Sequence, residues 1–148
     1  MNDLVKNTKV TRVLNATVAG SSDITTCAVI DMAGFEAVTF FVAFGAITTS
    51  AATSIKVQQG TDGTVSDAAD LEGSSVTIAD YDDNKIAMIE IYRPRERYVK
   101  LIIKRATQNA VVDGAWAIQT GPRVKPTTHD STTVVTPEFW ASPAEGTA

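Results

Sequence analysis

Eight consecutive residues, Ala37–Phe44, restrict the folds open to this chain more than any other stretch. Val38, Phe40, Val42 and Phe44 fall on one side at period two, and Ala37, Thr39, Phe41 and Ala43 fall on the other. β-Branched and aromatic side chains lose rotamers in a helix and pack well on a pleated surface. Both sides are largely apolar, so the expectation is a central strand covered on both faces.

Weaker copies of this pattern run along the chain. Lys9–Val18 and Thr25–Asp31 read as strands, separated by the turn Gly20-Ser21-Ser22-Asp23. Ser54–Gln59 alternates, with Ile55 and Val57 inward, and ends at Gly60-Thr61-Asp62-Gly63. Residues 60–75 are a polar excursion in which Ser66–Leu71 could form a short helical turn. Ser75–Ile78 is a short strand. Lys85–Tyr92 puts Ile86, Met88 and Glu90 on one face and Ala87, Ile89 and Ile91 on the other. Tyr98–Lys104 separates Val99, Leu101 and Ile103 from Tyr98, Lys100, Ile102 and Lys104, and Ala115–Gln119 follows the turn Asp113-Gly114. About eight short strands with frequent turn signals and no long helix predict an all-β fold, a single β-sandwich of jelly-roll or Ig-like type spanning residues 9–120. A hydrophobic fraction of 44% supports a real core in a domain of that size.

Outside residues 9–120 the character changes. Residues 1–8 are polar and read as a short, extended N-terminal arm. Residues 121–148 hold four of the five prolines, Pro122, Pro126, Pro137 and Pro143. Proline restricts its own φ and the residue before it, so this C-terminal segment is expected to be extended. Within it Phe139 and Trp140 are adjacent. Large aromatics are costly to leave in water and often anchor interfaces. They either fold back onto the domain or engage a partner.

The net charge of −4 argues against direct nucleic-acid binding by the whole chain. Seven acids and no Lys or Arg lie between Asp62 and Asp83, and six bases with the single acid Glu96 lie between Arg93 and Arg105. Solvated polar faces explain such runs, and so do complementary patches that meet across subunits. The densest basic feature is Arg93-Pro94-Arg95-Glu96-Arg97, where Arg93, Arg95 and Arg97 offer bidentate geometry to a partner's carboxylates.

Catalytic signals are weak. His129 is the lone histidine, placed in the polar C-terminal segment, and Cys27 is the lone cysteine, inside the apolar run Cys27-Ala28-Val29-Ile30. One of each makes no zinc-ligand set, and an inert buried thiol is expected at Cys27. Asp80-Tyr81-Asp82-Asp83-Asn84 begins like a calcium loop, but Lys85 and Ile91 stand where glycine and glutamate are needed. The expectation is no catalytic residue, metal or cofactor. No signal peptide is read at the start, and no apolar run is long enough to span a bilayer, so no membrane partner is expected.

Several segments taken together carry a resemblance: Gly34-Phe35 leading into Phe40–Ile47, Ile55–Gly60, Asp83-Asn84-Lys85, Ile91–Val99, Gln108–Gly114 and Ser142–Ala148. Over nearly its whole length the chain resembles head decoration, or cement, proteins of tailed bacteriophages and prophages. The resemblance implies a virion protein on the outer surface of a phage head. Its partners would be the major capsid protein and copies of itself as a homotrimer, and its role to clamp neighbouring capsid subunits. The contacts expected to carry this are Met1–Thr8, Arg93, Arg95, Arg97, Phe139 and Trp140. The competing readings are another virion part (a tail, neck or baseplate module, including a host-binding one) and, further off, an enzyme or small-ligand-binding β-domain.

Overall fold

In a computed structural model, described for residues 3–142 and 144–147, the chain forms one helical turn and ten strands among the described residues. They are α1 Leu4–Asn7, β1 Lys9–Leu14, β2 Thr17–Gly20, β3 Ile30–Asp31, β4 Ala37–Ile47, β5 Ala52–Gly60, β6 Ala69–Asp70, β7 Val76–Ile78, β8 Ile86–Tyr92, β9 Tyr98–Ala106 and β10 Ala110–Thr120. Every pairing is antiparallel. One sheet has the order β1-β10-β4-β8, with β2 also on β10; the other has β3-β9-β5-β6, with β7 also on β5. The two sheets pack as a β-sandwich.

The core follows from the period-two pattern. Val38, Phe40, Val42 and Phe44 of β4 and Ala115 and Ala117 of β10 meet Ile55 and Val57 of β5 and Val99, Leu101 and Ile103 of β9, all buried. The second face of β4 departs from expectation. Thr39, Phe41 and Ala43 are half-buried, and among the described residues no third layer of secondary structure covers them. Phe41 is shielded sideways by Trp116 of β10, with ring centroids 5.7 Å apart and planes 4° from parallel. An apolar outer face has replaced the expected second covering.

Four other elements differ from their sequence reading. The stretch 9–18 splits at Asn15-Ala16 into β1 and β2, and the β1–β10 register already shifts between Arg12 and Leu14. Only Ile30–Asp31 of the expected strand at 25–31 pairs regularly, with an isolated bridge from Ile24 to Ile103 ahead of it. Asp113-Gly114 is no turn. β10 runs through it and absorbs it as a register shift, the local kink that a bulge produces. The excursion after Gly60 forms turns and not a helix, because Asp62 accepts from the Thr64 amide and the Ser66 hydroxyl while Asp67 accepts from the Thr61 amide and hydroxyl. Such side-chain bonds compete with a helical ladder.

Of the expected N-terminal arm, Met1 and Asn2 lie outside the described residues. Asp3 caps the turn that follows by accepting from the Lys6 amide at 3.0 Å, so Leu4–Asn7 is helical and not extended. Among the described residues no helix is long and apolar enough to cross a membrane.

Candidate functional site

The C-terminal segment leaves β10 at Gly121, where a side chain would be strained by the φ of 64° and would meet Glu36 Cβ at 2.8 Å. Arg123 then donates its amide to Gly34 O. From Thr127 the chain runs beside β1, the outer strand of its sheet. The Thr127 amide donates to Lys6 O at 2.9 Å, and its hydroxyl donates to Thr8 O. The Val10 amide donates to His129 Nδ1 at 3.1 Å, and His129 Nε2 stands 2.8 Å from Val5 O. A carbonyl only accepts, so Nε2 carries the hydrogen and Nδ1 offers its lone pair. Both ring nitrogens of His129 are therefore committed to backbone. Asp130 next accepts from the amide and hydroxyl of Thr132 and, through its carbonyl, from the Val134 amide, closing a tight turn.

Beyond Val134 the segment is irregular and largely exposed. Phe139 and Trp140 part company there. Phe139, 38% exposed, packs against α1 with Lys6 Nζ 3.7 Å from its ring centroid, a cation–π contact. Trp140 is 72% exposed and Val135 91%. One aromatic folds back on its own chain and the other is presented outward.

The three arginines of the 93–97 loop divide in the same way. This loop carries the chain from β8 in one sheet to β9 in the other. Arg97 grips Asp31 through Nε and Nη2, both at 2.8 Å, and lies 5.1 Å from the Tyr98 ring. That contact holds the Asp31 carboxyl below the ordinary carboxylate range. Arg93 stacks over Tyr92 and reaches Glu36 at 3.3 Å. Both pairs are exposed to solvent, so each contributes at most about 1 kcal/mol. Arg95 has no carboxylate partner among the described residues. It lines an open cleft of about 560 Å³ together with Arg123, also without a carboxylate partner, and with Glu36 and Glu96. Arg123 is 28 positions from Arg95 in sequence, and only the turn at Gly121 brings it there. No local pattern in the chain marks it.

Most of the acids in the run 62–83 are engaged within the chain, by their own loops and by neighbouring segments. Asp80 accepts from the Ser50 amide, Asp82 from the Ala79 amide and Lys85, and Asp83 from the Ile47 amide. Hydrogen bonds from Ser66 and Thr64 hold Asp62 well below its ordinary value. Among the described residues no group of three or more His, Cys, Asp or Glu side chains is placed to hold a metal ion. Cys27 is buried, and that burial pushes its thiol up to about 11.

A basic residue that sequence reading left among the surface charges has another role. Arg105 is buried, and its guanidinium donates to Ser22 O, Val18 O and Ala110 O at 2.9–3.0 Å. It ties the end of β2 to the start of β10.

What the geometry offers is a rigid sandwich with one pinned and then projecting segment, and a small cluster of arginines at the loops nearby. Compared with models of protein families the chain matches none, and no curated protein matches it.

Proposed function

We propose that the protein is a structural component of a tailed-phage virion, binding the outer surface of the capsid and stabilising the shell by clamping neighbouring major capsid subunits. The observation that carries this reading is the division of the C-terminal segment at Val134. Thr127 and His129 are fastened to α1, Thr8 and the Val10 amide of β1, the turn at Asp130 follows, and the residues after it expose Val135 and Trp140. A firm base with a projecting apolar grip suits attachment to a lattice, where each weak contact is repeated many times and the total binding is strong. Arg95 and Arg123, neither with a carboxylate partner among the described residues, add two cations for acidic groups of a partner.

Truncation after Thr133 tests the reading. It removes the projecting residues and leaves the β1 clamp intact. The expected outcome is an unchanged circular dichroism spectrum and melting curve with strongly reduced occupancy on expanded capsids in co-sedimentation. Undiminished occupancy would defeat the proposal.

A further inference from the structure

Sheet edges present unpaired backbone groups, and folded proteins cover, shorten or charge them. Two devices of this kind are present here. At the start of the β1 edge the C-terminal segment lies alongside, with His129 taking the Val10 amide and Thr127 bonding Thr8 O just ahead of the strand. The outer strands of the second sheet are very short: β3 and β6 have two residues each and β7 has three. β8 is different. It is an outer strand of seven residues, Ile-Ala-Met-Ile-Glu-Ile-Tyr, with no Lys, Arg or Pro.

The free side of β8 can be assigned residue by residue. The Arg93 amide donates to Glu36 O, and the Phe44 amide donates to Lys85 O. The β4–β8 register runs from Ala37 opposite Tyr92 to Ala43 opposite Ile86. Hydrogen-bonded pairs alternate along an antiparallel ladder. Ala87, Ile89 and Ile91 therefore spend their amides and carbonyls on β4, while those of Ile86, Met88, Glu90 and Tyr92 point away from the sheet. The same four side chains stand on the outer face, with Ile86 57%, Met88 59% and Tyr92 62% exposed. They extend the apolar outer face begun by Trp116 and Phe41, whose row ends at Met88.

We propose that β8 is a strand-pairing surface for the β8 of a second copy of this chain, joined antiparallel about a twofold axis at Ile89. A second copy fits this edge over its full length without opposing like charges, and the side chains set its register. Centred on Ile89, Met88 faces the partner's Glu90 and Ile86 faces the partner's Tyr92, so all four outward-directed residues pair. Centring on Glu90 would oppose two like charges, which is destabilising. Centring on Met88 would leave Tyr92 without a partner residue. An isologous contact of this kind closes on itself and leaves no further edge of that strand. It joins two chains, where the family resemblance implies three, and it stands apart from the capsid reading because it is tested on the isolated protein.

The test uses the full chain. Light scattering after gel filtration should give a dimer for the parent chain and half that mass for Met88→Pro. The Met88 amide points away from β4, so proline there breaks no bond within the sheet. Met88→Glu, on an exposed side chain, sets a second carboxylate opposite the partner's Glu90; it is the second variant, and it decides if the proline variant misfolds by circular dichroism. Ile89→Cys should give a disulfide-linked dimer under mild oxidation, and Glu90→Cys should not. A monomeric parent chain, a dimer that survives both Met88 variants, or a dimer that Ile89→Cys fails to link would each overturn the pairing.

Discussion

His129→Ala tests the fastening of the C-terminal segment. The imidazole accepts from the Val10 amide and donates to Val5 O, so the substitution removes two hydrogen bonds from a half-buried site. Each such bond contributes about 1 kcal/mol net. The two together set the docking of residues 127–133 about 2 kcal/mol lower, with the Thr127 bonds left in place. Opening of this segment is local, and hydrogen exchange reads it directly. At 1.4 kcal/mol per tenfold, the Val10 amide should exchange about 30-fold faster in the variant. Core amides of β4 and β9 should change far less, and the melting temperature should fall by roughly 2–4 °C for each kcal/mol lost. An unchanged exchange rate at Val10 would refute the reasoning, since it would mean that His129 does not hold the edge.

Two further outcomes follow from the same contacts. Arg105→Ala strips the donors from three backbone carbonyls and should cost about 2–4 kcal/mol, lowering the melting temperature by roughly 5–10 °C; a variant that melts with the parent would contradict the assignment. Asp23, Asp31 and Asp82 have lowered pKa values in the fold because Lys104, Arg97 and Lys85 bond to them. Their stabilisation is complete above the unfolded carboxylate value of about 4 and is lost as pH falls through the lower folded values. Thermal stability should therefore be level near neutrality and decline below about pH 4, and Asp31→Asn should flatten part of that decline. Scanning fluorimetry across pH checks this, and a loss that begins between pH 7 and pH 5 would contradict it.

The strands that were legible in the sequence are those whose burial alternates. In β4, β5 and β9 the inward residues Phe40, Ile55 and Leu101 are large and their neighbours along the strand differ in character. Period two is then unambiguous. Thr25–Ile30 has similar composition, yet most of it pairs with no strand, because pairing depends on which edge is near and not on the residues alone. Asp113-Gly114 carries a turn signal that the ladder on both sides of β10 overrides. The apolar outer face was visible as two-sided alternation at Ala37–Phe44, but sequence could not say that among the described residues no third layer covers it. Of the site, the loop arginines and the aromatic pair stood out by composition. Which of them are engaged within the chain is a matter of distance: Arg97 finds Asp31 and Phe139 finds Lys6, while Arg95 and Trp140 find neither. The role of His129 had no sequence signal at all, since its partners are backbone atoms.

Electron microscopy of phage heads assembled with and without this protein tests the capsid reading most directly. β-Sandwich density is expected on the outer shell only when the protein is present, with the segment after Val134 and Trp140 seated on a capsid subunit. Shells that show no such density, or density confined to the tail or neck, would contradict it.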